Sequence, residues 1–141
     1  MNNQNLQLIN SLIKKTKTNA IHWKSLSSSD IEIKKEKSCN PNSTFQTSSV
    51  TALTNQTINP DASFFIHHKD GYIFLLAKNS FASIETIISL VVQTKLSNCS
   101  MEYASTLDKD NEIIASLKRL YNIVDSYDYD IASYVNDFIN D

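Results

Sequence analysis

The chain has very little glycine, the residue on which phosphate-binding loops and nucleophile elbows depend. Its 141 residues include one glycine, Gly71. The Walker phosphate loop, the dinucleotide-binding fingerprint of Rossmann folds and the Gly-x-Ser-x-Gly elbow of hydrolases all need more than one. The sequence therefore argues against the common nucleotide-binding enzymes and the α/β-hydrolases.

Cysteine and long apolar runs are equally scarce. The two cysteines are Cys39 and Cys99, and no Cys-x-x-Cys or His-Glu-x-x-His spacing occurs. We therefore predict no metal, no cofactor and no catalytic residues. No run approaches the roughly 18 apolar residues of a membrane span, and the first residues lack the basic start and apolar segment of a secretory signal. We expect a cytoplasmic protein with reduced thiols and no membrane partner.

The charge is unevenly distributed although the net charge is only −2. Residues 1–37 carry a charge of +4, residues 38–99 are neutral, and residues 100–141 carry −6. Such segregation either marks a partner site or lets the two ends of the chain pair with each other. The lysines are not interleaved with aromatic residues and there is one arginine, which argues against nucleic acid as a partner.

Apolar residues at helical spacing predict three helices. The first covers about residues 4–17, and Asn19 is its stop signal. The second covers about 108–125, and the Ser105-x-x-Asp108 pattern predicts its capping box. Asp130 is expected to cap the third helix. The apolar face of that last helix is formed by Ile131, Tyr134, Val135, Phe138 and Ile139.

The dipeptide Asp70-Gly71 separates two apolar runs and predicts a β-hairpin with a two-residue turn. In that register His67 pairs with Phe74, and His67 and His68 point to opposite faces of the sheet. Both faces of the hairpin are mostly apolar. We therefore expect that the sheet is either covered on both faces or dimeric.

Further short strands are predicted at 21–23 and 31–33, and a longer one at about 85–95 pairs with residues 72–78. The polar segment 38–60 fits a mobile loop or an edge hairpin. Together these elements predict a single α+β domain over residues 1–141. A four- to five-stranded antiparallel sheet forms its centre, with the N-terminal helix and two C-terminal helices packed on it.

Four stretches of the sequence resemble a group of small bacterial proteins with no assigned activity. The resemblance is carried by LIKKTKTNAIHW (12–23), DGYIFLL (70–76), RLYNIV (119–124) and the terminal NDFIND (136–141). It implies a leading helix, a strand beginning at Ile-x-Trp, a meander and closing helices. It implies no activity and no catalytic residue.

An acidic and aromatic run at residues 125–130 is the strongest candidate for a binding surface. It lacks the glycine and the later glutamate of a calcium-binding EF-hand loop, and tyrosine is favoured at protein interfaces. The alternative is a linker between helices. The predicted partner-binding residues are Asp125, Tyr127, Asp128, Tyr129, Asp130 and Tyr134.

We therefore predict a non-enzymatic protein-binding module from a bacterium or phage, of the immunity, regulatory or phage accessory type. Its partner is another protein or a second copy of the chain. One alternative is a small hydrolase or transferase that pairs His67 or His68 with a nucleophile such as Cys99. Another is weak nucleic-acid binding through the N-terminal lysines Lys14, Lys15, Lys17, Lys34, Lys35 and Lys37.

Overall fold

The computed structural model describes residues 3–38, 57–80, 83–126 and 129–141. The α-helices in these residues are α1 (Asn3–Lys17), α2 (Asn111–Ser126) and α3 (Tyr129–Asn140). The strands are β1 (Lys24–Ser25), β2 (Glu36–Ser38), β3 (Thr57–Ile58), β4 (Phe64–His68), β5 (Gly71–Ser80), β6 (Ser83–Thr94) and β7 (Ser100–Ser105). Most of the polar segment 38–60 lies outside the described residues.

The strands form one sheet in the order β1-β4-β5-β6-β7-β2, and β3 also pairs with β5. Strands β4 to β7 are an antiparallel meander, whereas β2 runs parallel to β7. The predicted α+β class with an antiparallel sheet is confirmed, as is the strand at 85–95. The strands predicted at 21–23 and 31–33 are wrong, because pairing occurs instead at Lys24–Ser25 and Glu36–Ser38.

The β4–β5 hairpin turns one position earlier than the Asp-Gly pattern predicts. Lys69 has the positive φ of 53°, while Gly71 already belongs to β5 and pairs with His68. His67 therefore lies opposite Tyr72 rather than Phe74. The partner of each residue is displaced by two positions, and an even displacement leaves every side chain on its predicted face.

Gly71 is explained by a close approach between strands. A β-carbon at this position would lie 2.9 Å from the backbone carbonyl oxygen of Gln93 in β6. No side chain fits there unless the backbone moves, so the position requires glycine. The Asp-Gly signal locates the hairpin correctly, but the glycine serves the neighbouring strand and not the turn.

One face of the sheet is covered by α1 and α2. Side chains from β4, β5 and β6 pack with those of both helices in a single core cluster. Ile9, Ile113, Leu117 and Leu120 are fully buried there, at the helical spacing that predicts both elements. Trp23 is half-buried at the edge of this cluster, and its indole N–H donates a hydrogen bond to Thr16 Oγ1 at 2.9 Å.

The opposite face is covered by residues 26–35, which we call the strap. Leu26, Ile31 and Ile33 of the strap pack against a second cluster that contains Phe65, Phe74, Leu76 and Val91. The hairpin is apolar on both faces as predicted, and elements of the same chain cover both of these faces. Gln93 fixes the strap, because its side chain accepts a bond from the Lys34 amide (2.9 Å) and donates one to the Glu32 carbonyl (3.1 Å).

The helix ends follow local hydrogen bonding. Asn19, with φ 62°, ends α1 as predicted, and the Ala20 amide bonds the Lys15 carbonyl in a Schellman arrangement. The predicted capping box at Ser105 is wrong, since Asp110 accepts the Glu112 amide at 2.9 Å and caps α2. The predicted cap at Asp130 is also wrong, because α3 already begins at Tyr129.

Candidate functional site

The last helix, α3, exposes the apolar face that the sequence assigns to the core. Tyr134 is 74% exposed and Phe138 is 77% exposed, in contrast to the fully buried residues of α2. The predicted packing of α3 on the sheet is therefore wrong. We call this surface the α3 stripe, and its members are Ile131, Tyr134, Val135, Phe138 and Ile139.

The charged residues of α3 and of the chain end are acidic. From residue 127 to the end the sequence contains no lysine, arginine or histidine. Asp137 is exposed three positions after Tyr134 and so lies on the same side of the helix as that ring, and the exposed Asp141 follows the last helical residue. The stripe is thus an apolar surface with a negatively charged margin.

The structure brings only part of the predicted site into view. Asp125 is exposed at the end of α2, and Tyr134 belongs to the α3 stripe. Tyr127 and Asp128 lie outside the described residues, as do the side chains of Tyr129 and Asp130. The apolar residues beside Tyr134 are the ones that the sequence analysis missed as a site. Their helical spacing is visible in the sequence, but spacing does not show whether a stripe is covered.

Asp125 acts electrostatically on a tyrosine that ties α2 to the sheet. The Tyr121 hydroxyl donates a 2.6 Å hydrogen bond to the Ala62 carbonyl, and its ring lies 6.0 Å from that of Phe64. Burial of the phenol, followed by the negative charge of Asp125, raises the pKa of Tyr121. Both effects disfavour the phenolate in the folded chain.

Alkaline pH should therefore destabilise the fold through Tyr121. Above about pH 10 the unfolded chain loses this phenol proton while the folded chain retains it, so the free energy of unfolding falls as the pH rises. We expect the Tyr121→Phe variant to show a shallower loss of stability between about pH 9 and 11. Urea unfolding across this range measures the slope. Equal slopes in the wild-type protein and the Tyr121→Phe variant would contradict the assignment.

All three histidines border one groove of about 540 Å³ between α1 and the edge of the sheet at β4. His67 and His68 both line it although they alternate along β4, and they lie at the end of β4 beyond Phe64 and Phe65, which pair with β1. The apolar floor includes Leu8, Ile21 and Ile73. We call this feature the histidine groove, and its polar margin consists of Ser11, Lys15, His22, Lys24, His67 and His68.

The chemistry of the histidine groove differs from that of the predicted hydrolase site. Cys99 is half-buried in the segment between β6 and β7 and does not line the groove. Among the described residues, no group of three or more histidine, cysteine or acidic side chains is placed to hold a metal ion. The ionisable side chains that line the groove are lysines and histidines, so its charge is of one sign.

The lysines of the nucleic-acid alternative are partly committed to the fold. The Lys34 ammonium donates to the backbone carbonyls of Thr94, Lys95 and Ser97, which closes the β6–β7 turn against the strap. Lys15 lines the histidine groove. The charge of Lys34 therefore serves a contact within the domain, and the charge of Lys15 belongs to a groove with an apolar floor.

Comparisons with protein-family models, with curated proteins and with solved structures yield no significant match. The resemblance to small bacterial proteins therefore stays a prediction. Within the described part of the chain, none of the helices combines the length and apolar character needed to cross a membrane. Any assignment of function consequently depends on the surfaces of the described residues, such as the α3 stripe and the histidine groove.

Proposed function

We propose that this chain is a non-enzymatic protein-binding module and that the α3 stripe is its contact surface. The observation that supports the proposal is that Tyr134 and Phe138, on the apolar face of an amphipathic helix, are exposed. Large aromatic side chains contribute most of the binding energy at protein interfaces when a partner buries them. The acidic margin of the stripe selects a partner with an apolar groove and positive charges around it.

The length of α3 supports the same proposal. The helix has 12 residues, and isolated helices shorter than about 12–15 residues are marginal in water. Most helices of this size gain their stability by burying an amphipathic face. A partner that covers the α3 stripe would supply that burial, so binding and helix stability are coupled.

Site-specific photo-cross-linking tests this surface directly. We expect a photoreactive phenylalanine analogue at Phe138 to form a discrete cross-linked product in cells that make the full chain. The same analogue at Ser133, on the opposite side of α3, should give little or none. Mass spectrometry of the product identifies the partner.

A second substitution distinguishes specific binding from non-specific contact. Tyr134→Asp in the Phe138-labelled chain should reduce the product at least tenfold, since it places a charge in the apolar contact. Ser133→Asp is the matched control and should leave the yield unchanged. Equal yields from positions 133 and 138, or a product insensitive to Tyr134→Asp, would overturn the proposal.

A further inference from the structure

We propose that the partner of the α3 stripe is a second copy of this chain, whose histidine groove receives it. This inference rests on the proposed function, because it names the partner of the same surface. The two features are complementary in apolar surface and in charge. One is an exposed apolar helix with acidic charge, and the other is a groove with an apolar floor and basic charge.

Charge provides the first step. Asp137 lies beside the stripe on α3 and Asp141 follows the end of the helix, while the exposed Lys15 and Lys24 lie at the margin of the groove. Stripe against stripe would bring acid to acid, and groove against groove would bring lysine to lysine. Stripe against groove is the pairing of these two surfaces in which opposite charges meet.

Apolar contact provides the second step. The groove of about 540 Å³ holds several large side chains but not a complete helix, so side chains of the stripe would enter it while the helix backbone stays outside. Leu8, Ile21 and Ile73 of the floor are half-buried and would meet Tyr134 and Phe138. Each aromatic ring has about 150–250 Å² of surface to bury.

Symmetry provides the third step. If each copy offers its stripe to the groove of the other, the contact occurs twice around one two-fold axis and the dimer is closed. Both copies then bury a stripe and a groove. The doubled contact brings the buried area toward the roughly 800 Å² per partner of stable interfaces, which one short helix in one groove would not reach.

Charge exchange between copies is the decisive experiment. The groove variant carries Lys15→Glu and Lys24→Glu, and the stripe variant carries Asp137→Lys and Asp141→Lys. Analytical ultracentrifugation of the full chain should show a wild-type dimer whose dissociation constant rises at least tenfold in each variant alone, since both contacts then oppose like charges. An equimolar mixture of the two variants should restore it, because both contacts in the mixed dimer join opposite charges.

The outcomes separate this inference from the proposed function. All four changed side chains are exposed, so circular dichroism should show wild-type folding for every variant. A monomeric wild-type chain, or a mixture that fails to restore the dimer, overturns the inference. If the wild-type chain is monomeric and position 138 cross-links to a different protein, the proposed function stands without it. If position 138 cross-links to nothing, both fail.

Discussion

Replacing Phe74 with alanine is expected to lower the free energy of unfolding by about 3–5 kcal/mol. Phe74 is fully buried on the strap face of the sheet, where it packs with Phe65, Leu76 and Val91. Removal of the ring leaves a cavity that the surrounding strands cannot fill, and the loss is a large part of the roughly 5–15 kcal/mol that stabilises a typical domain. Chemical denaturation at neutral pH measures it.

Phe138→Ala is the control, because it is the same substitution at an exposed position. Its ring is 77% exposed, so Phe138→Ala should change the unfolding free energy of the monomer by no more than about 0.5 kcal/mol. The measurement is made at a concentration where the chain is monomeric, because association would add its own stabilisation. A loss for Phe74→Ala as small as the one expected for Phe138→Ala would mean that the strap face is not a packed core.

Replacing Gln93 with alanine is expected to cost about 2–4 kcal/mol. Its amide is buried and satisfies two backbone groups of the strap, the Lys34 N–H and the Glu32 carbonyl. Alanine supplies neither partner, so the strap either leaves those groups unsatisfied or detaches from the sheet. Hydrogen exchange distinguishes detachment, because the Lys34 amide should then lose its protection.

Gln7 is the matched control for this substitution. It is exposed on α1, and Gln7→Ala should change stability by about 0.5 kcal/mol or less and leave the Lys34 amide protected. A Gln93→Ala variant with wild-type stability and an equally protected Lys34 amide would show that the Gln93 side chain does not hold the strap.

The sequence predicts the parts of this fold that depend on local periodicity. The apolar residues of α1 around Ile9 and of α2 around Leu117 each form one helical face that must be buried. This requirement does not depend on which strand the helix packs against. The two apolar faces of the hairpin are also predicted correctly, because side-chain alternation along β4 and β5 survives a register change of two residues.

The rest depends on contacts between distant residues. The requirement for glycine at position 71 comes from the carbonyl of Gln93, which approaches Gly71 from another strand. Strands β1 and β2 are two and three residues long and exist because β4 and β7 offer edges for pairing. The α3 stripe has the periodicity of a core helix, and the exposure of Phe138 becomes visible only in the tertiary structure.

The strap connects two strands at opposite ends of the sheet order. Residues 24–38 contribute β1 beside β4 and β2 beside β7, so one continuous segment pairs with both terminal strands of the meander. Unpaired edge strands are templates for intermolecular β-pairing and aggregation. Release of this segment would free backbone groups on two edges at once. Its attachment through Gln93 and Lys34 therefore protects the solubility of the chain as well as its stability, and strap-weakening variants should aggregate during unfolding.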